Sequence, residues 1–205
     1  MTEILSFISI IIIMLLLRSL VSIFPSLVAC LVRSKESFNL EASVKLSRNR
    51  DLLALAMIIP FCLIAARFRF KGSGLIDTMN NDIQTLIIIG CVIVYILFRM
   101  AVNNLFKPHS IPKKTYDTAV KSSRTFFIIL TFVLLCAGGI ISFFNIDMLA
   151  ARSAMLWISA IIYGLFLIRK FQIFISSCSI FTAFLYLCAL EIIPTGTLVV
   201  SAIIL

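Results

Sequence analysis

The run from Phe171 to Leu205 is apolar in character and carries a single charge, Glu191, within the segment FLYLCALEIIP that ends at Pro194. A carboxylate inside such a run costs about 2.5–3.5 kcal/mol on membrane-insertion scales, so it must be paired, protonated or turned toward a polar cavity. Any fold for this chain has to supply one of those environments. The rest of the sequence is of the same kind. Of its 205 residues 61% are hydrophobic and 13% charged, against about 25% charged in soluble domains. Several windows reach or approach the roughly 20 apolar residues that cross a hydrocarbon core. Little chain is left for a folded soluble domain, and the expectation is one all-α, polytopic helical membrane domain over residues 1–205.

Six spans are the simplest parse: about 4–24, 52–66, 83–102, 125–144, 148–174 and 180–202. Pro25 follows the first, and residues 26–32 continue apolar, as a segment lying in the interface would. A polar stretch, 33–51, precedes the second span, which Pro60 interrupts and which is short for a bilayer. Loops are expected over 67–82 and 103–124. Asn145-Ile146-Asp147 reads as a tight turn with a capping residue. Ser176-Ser177-Cys178-Ser179 reads as the turn into the last span. The N-terminal MTEILSFISIIIIMLLL lacks a basic leader and a small-residue cleavage site, so it reads as a retained span.

The net charge of +9 is distributed unevenly. Arg33, Lys35, Lys45, Arg48, Arg50, Arg99, Lys107, Lys113, Lys114, Lys121, Arg124, Arg169 and Lys170 fall at the first, third and fifth connections. Arg67, Arg69, Lys71 and Arg152 fall at the others. By the excess of Lys and Arg in cytoplasmic loops, both termini are expected outside the cytoplasm. Bases in short loops between apolar spans suit anionic headgroups and do not form the continuous stripe that tracks a nucleic acid, so membrane lipids are the expected partners.

Glu191 is the best foothold for chemistry. Pro194 cannot donate to the carbonyl of Leu190, so a freed acceptor and a carboxyl group coincide. Two readings stand side by side: polar glue to a neighbouring helix, or a titrating group on a cation or proton path. A hairpin centred on Ser177-Cys178 places Glu191 level with Tyr163 and Gly164. Arg18 is either its ion-pair partner or a cytoplasmic anchor of the first span. Arg99 and Asn103 share one helical face, as an anchor at the membrane boundary or a contact to a lipid phosphate. Gly138-Gly139 with Ser142, and Ala160 with Gly164, have helix-packing spacing. The six cysteines lack metal spacing and read as reduced packing thiols. His109 in KPHSIPKK, the Lys71-Gly72-Ser73-Gly74 run, and Asp77 with Asp82 assemble no nucleophile, phosphate loop or metal set. No catalytic function and no cofactor are expected.

The run Tyr186-Leu187-Cys188-Ala189-Leu190-Glu191-Ile192-Ile193-Pro194 resembles the closing segment of an uncharacterised Bacteroidota family of multipass membrane proteins, number four-two-seven-one among the domains of unknown function. The basic stretch before the second span and the helix carrying Arg99 and Asn103 are compatible with it. Family members often end on a polar or basic residue, whereas this chain ends Ile203-Ile204-Leu205. The resemblance implies a multi-pass helical fold in the inner membrane and brings no established activity. The expected function is therefore a non-catalytic membrane subunit or scaffold that packs against other membrane proteins or itself. The alternative is a small proton- or ion-coupled transporter titrating Glu191. A lipid-modifying enzyme lacks the His/Asp or metal set of that chemistry.

Overall fold

The structure, a computed structural model, describes residues 2–68, 81–105, 112–144 and 146–204. Among these residues there are helices and turns and no strand. They run α1 (Thr2–Val32), α2 (Ser34–Ala42), α3 (Val44–Ala56), α4 (Ile58–Arg67), α5 (Asn81–Leu105), α6 (Lys113–Phe143), α7 (Met148–Ile175), α8 (Ile180–Leu187), a π turn (Cys188–Ile192) and α9 (Ile193–Ile204). Five stretches are long and apolar enough to cross a membrane: Val44–Arg67, Thr85–Asn103, Thr115–Phe143, Met148–Ile175 and Ile180–Thr197. Among the described residues, α1 adds a shorter apolar stretch, Arg18–Leu31. The chain has the make-up of a multi-pass membrane protein.

The helices outrun the expected spans at their polar ends. Helix α1 continues through Pro25 to Val32 instead of stopping at Phe24. Leu27 and Cys30 lie beyond the proline and are each 1% exposed, so packing holds the last turns that were expected in the interface. Within a bilayer a helical proline is tolerated when neighbouring groups compensate its missing donor. The second span begins at Val44, eight residues before its expected start, and breaks at Met57. Pro60 explains the break: it sits in the first turn of α4, where no intrahelical donor is needed.

The basic segment 113–124, expected as loop, forms the first turns of α6. It is amphipathic. Tyr116 and Ala119 are buried against Val102, Ile173 and Leu190, and Thr115 shares a 3.0 Å hydrogen bond with Ser177. The opposite side of the same turns carries Lys121 and Arg124, which reach Glu41 at 2.9 Å and Asp51 at 2.5 Å. Arg50, 1% exposed, lies between those two acids, bonding Asp51 at 3.0 and 2.7 Å, Ser47 at 3.2 Å and Glu41. Local hydropathy reads 33–51 and 113–124 as solvated because it cannot see that their charges neutralise each other across α2, α3 and α6.

These polar contacts gather at one end of the bundle, where α1 finishes, α2 crosses, α3 and α6 begin and α7 finishes. Arg169 belongs to the same end, with its Nε donating to the carbonyl of Leu31 at 2.8 Å. Away from it the packing is apolar. Leu20, Ile23 and Leu27 of α1 meet Leu53 and Met57 of the second span and Ile128 of α6. Helices α6 and α7, joined by a short connection, pack along much of their length, with Phe126 and Phe166 at a 5.2 Å centroid separation. The connection matches the expected turn only in part: Asp147 occupies the N-cap position of α7 but its side chain caps nothing, and Ala151 N–H bonds its carbonyl instead. Asn145 lies outside the described residues. The turn at 176–179 forms as expected, with Ser179 accepting from the Thr182 N–H at 3.4 Å.

The two adjacent glycines of α6 divide in role. A Cβ on Gly138 would stand 3.4 Å from Met155 Cε and 3.6 Å from the Phe68 ring, whereas one on Gly139 would meet nothing within 4 Å. Gly138→Leu is expected to lower stability by about 1–3 kcal/mol through overpacking of the α6–α7 contact. Gly139→Leu is expected to be neutral or stabilising by up to about 1 kcal/mol from helix propensity. Unfolding titrations of the two variants in mixed micelles check the contrast.

Candidate functional site

Glu191 sits in the π turn, about 17 Å along its helix from Ile180 at 1.5 Å per residue. Its side chain is 1% exposed and is met by two cations. Arg99 of α5 donates to both carboxylate oxygens at 2.5 and 2.6 Å, and Lys170 of α7 bonds Oε1. Lys170 is also 1% exposed and Arg99 20%. Both cations start closer to the polar end, about 8–9 Å from the last residues of their helices. The gap closes because helical side chains lean toward the N-terminus of their own helix. Glu191 leans back toward Ile180, while Arg99 and Lys170 lean inward from the ends of α5 and α7.

Aromatic faces complete the Lys170 environment. Its Nζ lies 5.6 Å from the Phe166 ring centroid and 5.9 Å from that of Phe174, one turn to either side on α7. Such contacts contribute about 0.5–2 kcal/mol each to a desolvated cation. They offset part of the cost of burying the ammonium.

The backbone around Glu191 is also polar-bound. Ile193 N–H bonds the carbonyl of Cys188, five residues back, which makes the π turn. The widened turn is the local answer to Pro194. Among the described residues, hydroxyls collect on the carbonyl of Glu191 itself and not on that of Leu190: Thr195 Oγ1 donates to it, and Tyr163 OH, which donates to Thr195 Oγ1, lies 3.3 Å from it. Tyr163 and Thr195 share a 2.8 Å hydrogen bond. Turns of this type occur often at functional sites and re-aim the side chains they carry.

Of the residues singled out from sequence, Glu191, Tyr163 and Arg99 come together. Arg18 does not. It lies exposed on α1, and both carboxylate oxygens of Glu191 are taken by Arg99 and Lys170, so the Arg18–Glu191 pair is not formed. Asn103, one turn beyond Arg99, contributes its main-chain carbonyl to Tyr116 OH at 2.7 Å. Its buried side-chain Oδ1 finds no donor among the described residues. Lys170 and Thr195 were missed. Lys170 counted as one of two bases at a connection, yet its flanks, FLIRKFQIFI, are apolar on both sides. A lysine there has the same need of a counter-charge as Glu191, and that symmetry was the available signal.

Other candidates resolve differently. The six cysteines are all free: Cys30 and Cys62 are buried, Cys91, Cys178 and Cys188 half-buried, and Cys136 is exposed on α6, contrary to its expected packing role. Burial pushes the Cys178 thiol, in the α7–α8 turn, above its ordinary range, away from the reactive thiolate. His109, Lys71-Gly72-Ser73-Gly74 and Asp77 lie outside the described residues. Among the described residues no group of three His, Cys, Asp or Glu could hold a metal ion.

The fold and this site together define a class: a helical multi-pass membrane protein whose deepest carboxylate is held by two cations from two other helices. The signature of the family described as Domain of unknown function (DUF4271) matches residues 3–200, and the chain belongs to that family. Neither a curated protein nor a solved structure matches it.

Removing one member of a buried ion pair costs about 3–5 kcal/mol because the other charge is left uncompensated. A double-mutant cycle on Lys170→Met and Glu191→Gln, followed by reversible unfolding in mixed micelles, is expected to show a coupling of about 1–3 kcal/mol. The same cycle on Arg18→Gln and Glu191→Gln is expected to be additive within about 0.5 kcal/mol.

Proposed function

We propose that this protein is a non-catalytic subunit or scaffold of the cell's inner membrane, which packs against another membrane protein. The observation that carries this reading is the state of Glu191. The carboxylate that lies deep in the last span is 1% exposed and bonded to Arg99 and Lys170, with Tyr163 and Thr195 over its carbonyl. A group that relays protons across a membrane needs access to water on each side in turn. This one is fastened to its neighbours, as helix-joining polar residues are.

The outward face supports the same reading. On α6, Gly139 and Ser142 are exposed, and on α7 Ala160 is exposed with Gly164 one turn beyond. Side chains added at Gly139 or Gly164 would enter open space, so the small residues of these helices are not all used inside the bundle. Small residues let a second helix approach closely in lipid, where the hydrophobic effect does not drive association. The polar end, with Arg50, Lys121, Arg124 and Arg169, belongs in the cytoplasm in this reading, with both chain termini on the other side.

The test is extraction from the native membrane in mild detergent, with identification of whatever is recovered in stoichiometric amount, beside proton and cation flux in reconstituted vesicles. The expected outcome is a defined membrane-protein partner and no flux sensitive to Glu191→Gln. Recovery of the protein alone, with a flux that Glu191→Gln abolishes in a variant that is still recovered as a monodisperse, helical protein, would establish the transporter instead.

A further inference from the structure

We infer that α2 is a latched strap: held down through Glu41, it covers the polar end of the bundle and lifts as one unit when that carboxylate's contacts are released. Helix α2 spans nine residues and lies between two single extended residues, Arg33 at φ −132° and ψ 121° and Ser43 at φ −93° and ψ 105°. Neither supplies a side-chain cap to the helix that follows it. Isolated non-helical residues at the ends of an element are the positions that absorb backbone rotation in hinged motions. The helix itself has a mixed polar sequence, SKESFNLEA, and so short a segment does not hold a helix without tertiary contacts. Its place is therefore set by what it touches.

Those contacts fall into an apolar set and a charged one. In the apolar set Leu40 enters the cluster of Leu27 and Cys30 of α1, and Phe38 rests on the cluster that holds Tyr116, Ile173 and Leu190. Ser37 meets the Cys30 thiol. Leu190 precedes Glu191 in the chain and Ile173 is one turn from Lys170, so Phe38 packs on the cluster that borders the buried ion pair. The charged set is centred on Glu41, which bonds Arg50 and accepts from Ser47 of α3 at 3.2 Å and Lys121 of α6 at 2.9 Å. The rest of that polar cluster closes without α2: Asp51 keeps Arg50 at 3.0 and 2.7 Å and Arg124 at 2.5 Å. Releasing Glu41 thus frees α2 while α3 and α6 stay tied and the buried Arg50 keeps a counter-charge. That separability distinguishes a latch from a brace. An element held by few buried apolar contacts opens at a lower free energy than the core around it. The inference does not depend on the protein being a subunit, because a lone transporter could carry the same cover.

Cys30 is a built-in reporter. It is 1% exposed against α2, while Cys62 of α4, 2% exposed, belongs to neither cluster that α2 touches. The test is pulsed alkylation of the full chain in mild detergent with N-ethylmaleimide, read at each cysteine by peptide mass spectrometry, beside amide hydrogen exchange. Glu41→Ala is expected to speed modification of Cys30 about tenfold or more, with Cys62 unchanged and helicity preserved. In the unaltered protein the amides of 38–42 are expected to exchange together, and faster than those of 48–56. Unchanged modification of Cys30 in Glu41→Ala would overturn the inference. So would a rise at Cys30 and Cys62 together, which marks general loosening. Loss of the helical, monodisperse protein in that variant, or α2 amides as slow as those of α3, would overturn it too.

Discussion

A charge in hydrocarbon has no water to fall back on, and this fold is organised around giving Glu191 an alternative. The carboxylate draws Arg99 from α5 and Lys170 from α7 to the helix formed by α8, the π turn and α9. Two consecutive spans and a third, distant in sequence, are thereby tied at one point. Dispersion between apolar helices in lipid is nearly matched by dispersion with lipid tails, so contacts of this kind decide which faces meet. The desolvation of three charges is offset only if the geometry is good and the remaining polar atoms are satisfied. Here the two-pronged contact of Arg99, the aromatic rings around Lys170, and the hydroxyls of Tyr163 and Thr195 on the adjacent carbonyl supply that completeness.

A second polar cluster does the same for the other half of the bundle. Arg50 joins Glu41 of α2 to Asp51 of α3, and Lys121 and Arg124 bring in α6. Both clusters hold one more cation than anion, and the Arg50 cluster marks the polar end of the helices. The opposite side of the molecule is carried by apolar packing, in which Met155 and Phe68 lie over Gly138 of α6. The asymmetry leaves small residues with open space beside them on the outer faces of α6 and α7, at Gly139 and Gly164, while Arg50 and the acids it bonds are committed to internal order.

Much of this was legible in the sequence, and the part that was not has a single physical cause. Apolar runs located the spans, and the serine cluster at 176–179 located the last turn, because both signals are local. Glu191 declared itself through the cost of its position, and hairpin arithmetic set it level with Tyr163. What failed were inferences about charge. Arg18 was a candidate partner because it is the charge inside the first span, yet it faces outward on α1. Lys170 was counted with Arg169 as a boundary base. In fact one of these neighbours bonds the end of α1 while the other is fully buried, since adjacent helical positions face different directions. The helical character of 33–51 and 113–124 was hidden for the same reason. Their charges neutralise one another between helices, and hydropathy along one segment carries no record of a partner as far away in the chain as Glu41 is from Lys121, 80 residues.

The central claim is that Glu191 is structural because its charge is balanced from α5 and α7. Exchanging the charges tests it most directly. Glu191→Lys alone would place three cations together, and Lys170→Glu alone would set two carboxylates against one arginine. The double exchange restores two cations and one carboxylate in the same space. The account predicts that each single variant is lost to aggregation or unfolds readily in detergent, and that the double variant is recovered as a monodisperse, helical protein. A double variant no better than the singles, or a Glu191→Lys protein as stable as the wild type, would contradict it.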